Sequence, residues 1–315
     1  MIEPSGANAQ ALNASGCEVS SLITVAICTR NRPASLEAAV RSVIPQLTFE
    51  TELLIIDNRS TDDTGAVCKR LAQAHTNVRI WREERSGIAF ARNAALEQAR
   101  GEYVLFFDDD ELAEPGWLAN YIEFLRAPPS SKVACVGGPY LPDLEHPPPS
   151  WMNSRHASFD LGGSRRALTG KTTPAGGNCA YHRKIALQAG GFATDLPRCE
   201  DSELNARLRD AGYEVWWLPE ARIRHRIDPE RFRLGAQLRL AFSEGRAAAA
   251  LRARRSKSPA MFRLVALGRL MIVPLHIAIQ IAFALLALIA GRRQRAFDSV
   301  LRVCRNLGMA RGWLM

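Results

Sequence analysis

Three consecutive carboxylates, Asp108, Asp109 and Asp110, stop the apolar run 103–107 abruptly. Adjacent anions repel one another, and such a cluster is best tolerated where a divalent cation or its phosphate ligands offset the charge. In an extended segment residues two apart share a face, so Asp108 and Asp110 point the same way and could grip one hard cation together with a nucleotide diphosphate. A solvated acidic turn is the plain alternative. A second acidic knot, Glu200, Asp201 and Glu203, opens a helix predicted over 202–211 and ended by Gly212. Complementation of a helix dipole accounts for that knot without chemistry. A carboxylate crowded by other anions and partly desolvated instead takes a raised pKa and serves as a general base. His225 follows a strand-like run, where a histidine is either structural or a partner for a metal or a diphosphate. The backbone of Gly176-Gly177-Asn178 can approach a ligand closely. Trp151, Trp216 and Trp217 are either sugar-stacking platforms or core aromatics.

Positioning these groups needs a scaffold, and the apolar pattern supplies one. Short apolar runs at 22–28, 52–56, 77–81 and 103–107 read as strands, with helical pattern over 35–44 and 87–100 between them. This alternation predicts an α/β sheet with mostly parallel strands, which binds ligands at the strands' carboxyl ends. Thr29, Asp57 and the three aspartates each fall just after a predicted strand. Any one of them alone is a cap or a turn; together on one sheet edge they predict a nucleotide site. Neither a G-x-x-x-x-G-K-[ST] loop nor a G-x-G-x-x-G turn follows the first strand, so ATPase and dinucleotide readings lack their anchor.

The 315 residues, 47% hydrophobic, can bury a full core. Seven scattered cysteines without a C-x-x-C pair suggest a reducing compartment rather than a disulfide frame or a zinc site. From Arg222 onward the chain has 19 Lys and Arg against 4 Asp and Glu, a net +15, while residues 1–221 carry 22 against 28, a net −6. Beside that basic third lies the uncharged stretch 270–291, closed by Arg292 and Arg293. Its length and polarity suit a bilayer and anionic lipid better than nucleic acid. Arginines flank it on both sides and Pro274 sits inside it, so the expectation is an in-plane or re-entrant element with both flanks on the cytoplasmic face. The organisation read from the chain is a disordered tail over 1–20, a catalytic domain over 21–235 (nucleotide half 21–111, acceptor half 112–235), and a basic helical membrane-associating region over 236–315.

In order along the chain, TVAICTRNRP, ELLIIDNRSTDDT, GIAFARNAAL, GEYVLFFDDDE, GGNCA, GGF, EDSELNARLRDAG and PEARIRH resemble the family-two inverting glycosyltransferases over about residues 22–228. Their nucleotide-sugar-binding fold is called GT-A. ARNAAL, DDDE, GPY, PSWM and PEARIRH look most like bacterial exopolysaccharide enzymes of the succinoglycan glucosyltransferase type. The resemblance implies that Asp57 lies at the base or ribose of the donor, with Thr29, Arg30, Arg92 and Asn93 bordering it. Asp108 and Asp110 would be the DxD pair, with Asp110 on a Mg²⁺ or Mn²⁺ ion, Asp108 or Asp109 on the ribose or the metal's water shell, and His225 near the metal. Asp201 would be the general base, Glu200 the next candidate, and Asn178 and Trp151 would face the acceptor. Arg59 stands where the family usually has a small residue. The implied partners are a nucleotide-sugar donor, a lipid-linked saccharide acceptor and anionic membrane, without nucleic acid, at the cytoplasmic face of the bacterial inner membrane. Transfer to polyprenyl phosphate is the nearest alternative. A sugar-phosphate nucleotidyltransferase and a non-catalytic membrane-surface protein are more remote ones.

Overall fold

The computed structural model describes residues 22–144, 147–152, 158–196, 198–256 and 258–314. The tail expected over 1–20 lies outside them. The strands in chain order are β1 (Ile23–Thr29), β2 (Thr51–Asp57), β3 (Val78–Arg82), β4 (Tyr103–Asp108), β5 (Glu111–Ala113), β6 (Val133–Gly137), β7 (Tyr140–Asp143), β8 (Arg166–Ala167), β9 (Asn178–His182), β10 (Glu214–Trp217) and β11 (Ile223–Arg226). Eight of them form one sheet in the order β3-β2-β1-β4-β9-β6-β10-β8, and β5-β11-β7 form a small second sheet. β1 pairs in parallel with both β2 and β4, so Thr29, Asp57 and Asp108 end side by side.

Every residue of β1 and β2 is buried, which their near-continuous β-branched and aliphatic composition allows. Ile23, Val25 and Ile27 of β1 join the core under α1 (Pro33–Val43), α2 (Thr64–Ala74) and α4 (Trp117–Arg126). Ala26 and Cys28 face the opposite layer, with α3 (Ile88–Gln98), α5 (Arg183–Gln188) and α6 (Glu200–Asp210). Helix α1 starts two residues before the predicted position because Pro33 occupies its first turn, where the fixed φ favours entry and no amide is lost. β5, β7, β8 and β9 were not anticipated. β7 falls in a stretch rich in proline, and β9 begins at Asn178, the last residue of the segment read as ligand-approaching backbone. β9 runs antiparallel between β4 and β6 and so welds the two halves of the sheet.

Three helices close the chain: α7 (Leu234–Arg254), α8 (Pro259–Ile289) and α9 (Arg293–Trp313). α7 and α9 touch backbone to backbone at glycines. A Cβ on Gly245 would stand 2.0 Å from the Arg305 carbonyl oxygen, and one on Gly308 2.0 Å from that of Phe242. A cluster of Met152, Ile227, Phe232, Ala241, Phe297 and Leu301 packs these helices onto the catalytic part. The apolar stretch expected at 270–291 falls in α8, a single helix continuous through Pro274, and most of its large side chains are exposed.

Candidate active site

A cleft of about 1760 Å³ opens along the carboxyl ends of β1 and β4, lined among others by Arg30, Arg32, Asn58, Arg92, Asp108, Asp110, Gly176, Gly177, Asp201 and His225. Drug-sized ligands occupy pockets of roughly 300–1,000 Å³, so this one has room for a donor and an acceptor together.

The three aspartates divide into three environments. Asp108 ends β4 and is 37% exposed toward the cleft, 3.3 Å from Arg92 Nη2. Asp109 turns beneath β1: its Oδ2 accepts from the Thr29 hydroxyl at 2.7 Å and its Oδ1 from Arg32 Nη1 at 2.9 Å. Burial pushes the Asp109 carboxyl up to about 6, against the opposing pull of Thr29 and Arg32. Asp110 receives Arg32 at 2.8 Å on one oxygen and lies 3.4 Å from His225 Nδ1 on the other. Asp109 and Asp110 sit in a turn rather than in extended backbone, yet the turn brings Asp108 and Asp110 to the same cleft. Glu111, absent from the residues singled out in sequence, accepts from the Asp108 amide at 2.8 Å and clamps that turn. Burial first, and then the Asp108 charge, hold its carboxyl well above the usual range.

The second knot meets the first through Arg92. Its guanidinium is buried, with Nη1 2.7 Å from Glu200 Oε1. Burial disfavours the Arg92 charge, but Asp108, Glu200 and Asp201 outweigh that and hold its pKa above the ordinary guanidinium value. Glu200 is itself raised by burial, with Arg92 opposing. Its oxygen is committed to the ion pair, whereas Asp201 lines the cleft and commits only Oδ1, at 2.6 Å, to the Ser202 amide. Gly176 and Gly177 run between the two knots. A Cβ on Gly176 would lie 2.8 Å from Asp201 Oδ2, and one on Gly177 2.5 Å from Asp108 Oδ2, so any side chain here would have to push these carboxylates aside.

Asp110 and His225 offer one oxygen and one nitrogen donor, a set suited to Mn²⁺ or Mg²⁺. Burial lowers the His225 pKa, with Asp110 opposing, which favours the neutral ring that metal binding requires. In this arrangement Arg231 Nη1, 2.9 Å from His225 Nε2, puts the ring proton on Nδ1 facing Asp110, so a cation taken by Nδ1 would require that proton to move to Nε2 and Arg231 to turn away. Among the described residues no three His, Cys, Asp or Glu side chains make a complete cage, so a cation here would take its remaining ligands from elsewhere.

Several expected contacts are corrected by the structure. Asn178 is wholly buried: its amide donates to the Pro139 and Ala221 carbonyls at 3.0 and 2.8 Å and accepts from Trp117 and Tyr121 at 2.8 and 2.9 Å. It cannot also hold an acceptor. Trp151 packs edge-to-face against Phe297 of α9, with ring centroids 4.5 Å apart, and Trp216 and Trp217 pack into the core clusters. Asn93 ties α3 to Phe192 with bonds of 2.7 and 2.8 Å and does not line the cleft. Asp57 is buried, accepting from the Ser60 amide at 2.9 Å and Arg82 at 2.7 Å, while its neighbour Asn58 reaches the cleft wall. Thr29 borders the cleft with its hydroxyl spent on Asp109, and Arg30 reaches Ser86. Arg59 holds φ 57, a left-handed conformation uncommon for a non-glycine residue. Asn58 and Arg32 lie next to residues singled out after strands and were findable; Arg231, in the turn after β11, has no local signal.

The model of glycosyl transferase family 2 matches residues 24–188. The chain belongs to this family. A glucosyl-dolichyl phosphate glucuronosyltransferase of Haloferax volcanii is 24% identical over 218 residues, spanning 65% of this chain and 69% of that relative. Among solved structures, a mannosyltransferase of Pyrobaculum calidifontis in complex with GDP-Man and Mn²⁺ superposes with TM-score 0.61 at 21% identity, over 89% of this chain and 86% of the other. GalNAc-T7 with UDP, GalNAc and Mn²⁺ superposes with TM-score 0.53 at 18% identity, over 66% and 44%. The fold of this family 2 glycosyltransferase is therefore GT-A, a mixed, mostly parallel sheet with an apolar helix near its C-terminus.

Proposed function

We propose that this glycosyltransferase moves a hexose, with inversion, from a nucleoside-diphosphate donor such as UDP-hexose to a hydroxyl of a lipid-linked oligosaccharide. The setting is bacterial polysaccharide assembly at the cytoplasmic face of the inner membrane. The observation that carries this reading is the pairing of Asp201, whose Oδ2 is uncommitted in the cleft, with the Asp108–Asp110 turn across the Gly176-Gly177 backbone. In this reading Asp201 is the base on one side of the cavity, and the Asp108–Asp110 turn, suited to a diphosphate, faces it. The activity named for the Haloferax relative, transfer to a sugar already joined to a lipid phosphate, supports the acceptor class. The nucleotides and Mn²⁺ in the two structural neighbours support the donor class and the cation.

The chemistry follows from the placement. Asp201 takes the proton of the acceptor hydroxyl as that oxygen attacks C1 of the donor sugar, and the bond from C1 to the diphosphate oxygen breaks with its electron pair leaving on the diphosphate. Attack opposite the leaving group inverts C1. Arg92 fixes Glu200 and Asp108 relative to one another, so the base helix and the donor turn keep their spacing. A divalent cation held by Asp110 and His225, with Asp108 alongside, would offset the charge gathering on the leaving diphosphate.

The test is calorimetric binding of UDP, GDP and dTDP with Mn²⁺ and with chelator, followed by transfer assays. Asp201→Asn should keep nucleotide binding and lose transfer by about two orders of magnitude or more. Undiminished transfer moves the base elsewhere. Asp110→Ala should weaken metal-dependent binding, and an unchanged affinity removes it from the cation site. Arg226 and Arg231 on the cleft wall favour polyprenyl phosphate as a second acceptor reading, separated by whether the lipid product carries one sugar or an extended saccharide.

A further inference from the structure

Helix α8 touches the rest of the protein along one narrow stripe. Ala266, Leu270, Val273, Ile277, Ala284 and Ala287, at helical spacing, are buried or half-buried. The rest of its surface is apolar and open, with Met271 82%, Leu275 61%, Phe283 58% and Ile289 84% exposed. Length and composition alone would let this helix cross a membrane, but its neighbour argues otherwise. After the turn at Gly291, α9 runs back along α8 until Arg269 stands over the Trp313 ring, 5.9 Å from its centroid. α9 carries Arg302 and Arg305 near its middle, and Arg305 pairs with Glu244 of α7, which lines the cleft. The end of α7 is in turn fixed to the catalytic domain by Arg254, 2.6 Å from Asp195 and 3.2 Å from Glu203. A crossing α8 would draw α9 alongside it, placing Arg302 and Arg305 at mid-bilayer, where charge is strongly disfavoured.

Resting on the reading of the chain as membrane-associated, we propose that α8 lies flat in one leaflet as an in-plane anchor, its open face among the acyl chains and α9 and α7 forming the layer between it and the cleft. A helix about 46 Å long and about 10 Å thick matches the shallow immersion of interfacial helices. Arg263 and Arg269 on α8, with Arg292 and Arg293 beyond its end, are exposed at the margins of this face and suit anionic phospholipid headgroups. The anchor holds the cleft a fixed height above the leaflet, within reach of a sugar on a lipid stem.

Two measurements on the full chain test this. Cysteines placed at either end, Ser256→Cys and Arg295→Cys, are probed with a membrane-impermeant maleimide, counting labelling above that of the parent. Both should label in inverted membrane vesicles and neither in spheroplasts; one labelling from each side means α8 crosses, and the in-plane arrangement is wrong while membrane association stands. In flotation, the chain should bind phosphatidylcholine vesicles containing phosphatidylglycerol, and Arg292→Gln with Arg293→Gln should lower that binding roughly tenfold. Met271→Glu with Leu275→Glu should release it while UDP binding with Mn²⁺ persists, which shows the fold intact. A parent chain that binds no vesicle and elutes as a dimer overturns the membrane reading itself and makes a second copy the cover of α8.

Discussion

Asn178→Ala separates a structural role from an acceptor-binding one, because the two predict opposite outcomes. The residue starts β9, the strand that joins the halves of the sheet, and its side chain makes four hydrogen bonds with no exposed surface. Truncation leaves the Trp117 indole N–H without its acceptor and the Ala221 carbonyl without this donor. Tyr121 keeps the Asn178 main-chain oxygen at 3.0 Å, and the Pro139 carbonyl keeps the Ile223 amide at 3.2 Å. Two orphaned buried groups at about 1–3 kcal/mol each, plus two weakened bonds at about 0.5–1.5 kcal/mol each, give a loss of about 3–9 kcal/mol. Against a total stability of about 5–15 kcal/mol this is large. At about 2–4 °C per kcal/mol the melting temperature should fall by at least about 6 °C, measured by thermal denaturation in detergent. A variant that melts within about 3 °C of the parent while its acceptor KM rises would refute the reasoning and return Asn178 to the acceptor site.

Gly177→Ala should abolish metal-dependent nucleotide binding with little loss of secondary structure, because the added Cβ meets Glu111 Oε1 at 2.4 Å and Asp108 Oδ2 at 2.5 Å; intact calorimetric affinity would show that the loop yields freely. Gly308→Val forces α9 away from the Phe242 carbonyl and should destabilise the α7–α9 pair by about 1–3 kcal/mol or more, seen as faster limited proteolysis of the C-terminal helices while UDP still binds. Burial pushes the Cys28 and Cys68 thiols up to about 12. The thiolate is the reactive form, so both should resist maleimide at pH 8 in the native protein and react on unfolding, read by peptide mass analysis; rapid native labelling would show that the core breathes there.

The sheet was legible because its strands are local objects. β1, β2 and β4 are short runs of β-branched, aliphatic and aromatic residues, each ended by a polar residue, and parallel pairing then places those ends together. What stayed hidden depends on contacts between residues far apart in the chain. Glycines beside an asparagine look alike whether the asparagine faces a ligand or a tryptophan, and only the fold brings Trp117 and Tyr121 to Asn178. Asn93 likewise differs from a donor contact only because Phe192, 99 residues away, takes both ends of its amide. β9 was missed because its apolar run is short and follows two glycines that themselves suggest a loop.

The acidic triplet shows why residue type alone does not assign a role. Three identical side chains in sequence reach an ion pair with a buried arginine, a buried hydroxyl under β1, and the space between Arg32 and His225. The premise that the triplet is extended fails, since β4 ends at Asp108 and the next two residues turn. Asp108 and Asp110 share the cleft because Glu111 clamps the turn and because Arg32 ties Asp109 to Asp110 from the β1 side. The same logic decides between Glu200 and Asp201, adjacent and chemically alike. Glu200 also borders the cleft, but it is buried and Arg92 holds its Oε1 at 2.7 Å, neutralising a charge that burial would otherwise disfavour. Asp201, one position along α6, is turned by about 100° around the helix and meets the cleft. Exchanging the two residues should therefore cost both functions at once: the shorter Asp at 200 leaves Arg92 underpaired, and the longer Glu at 201 carries its carboxylate away from the place Asp201 gives it beside the Gly176 backbone.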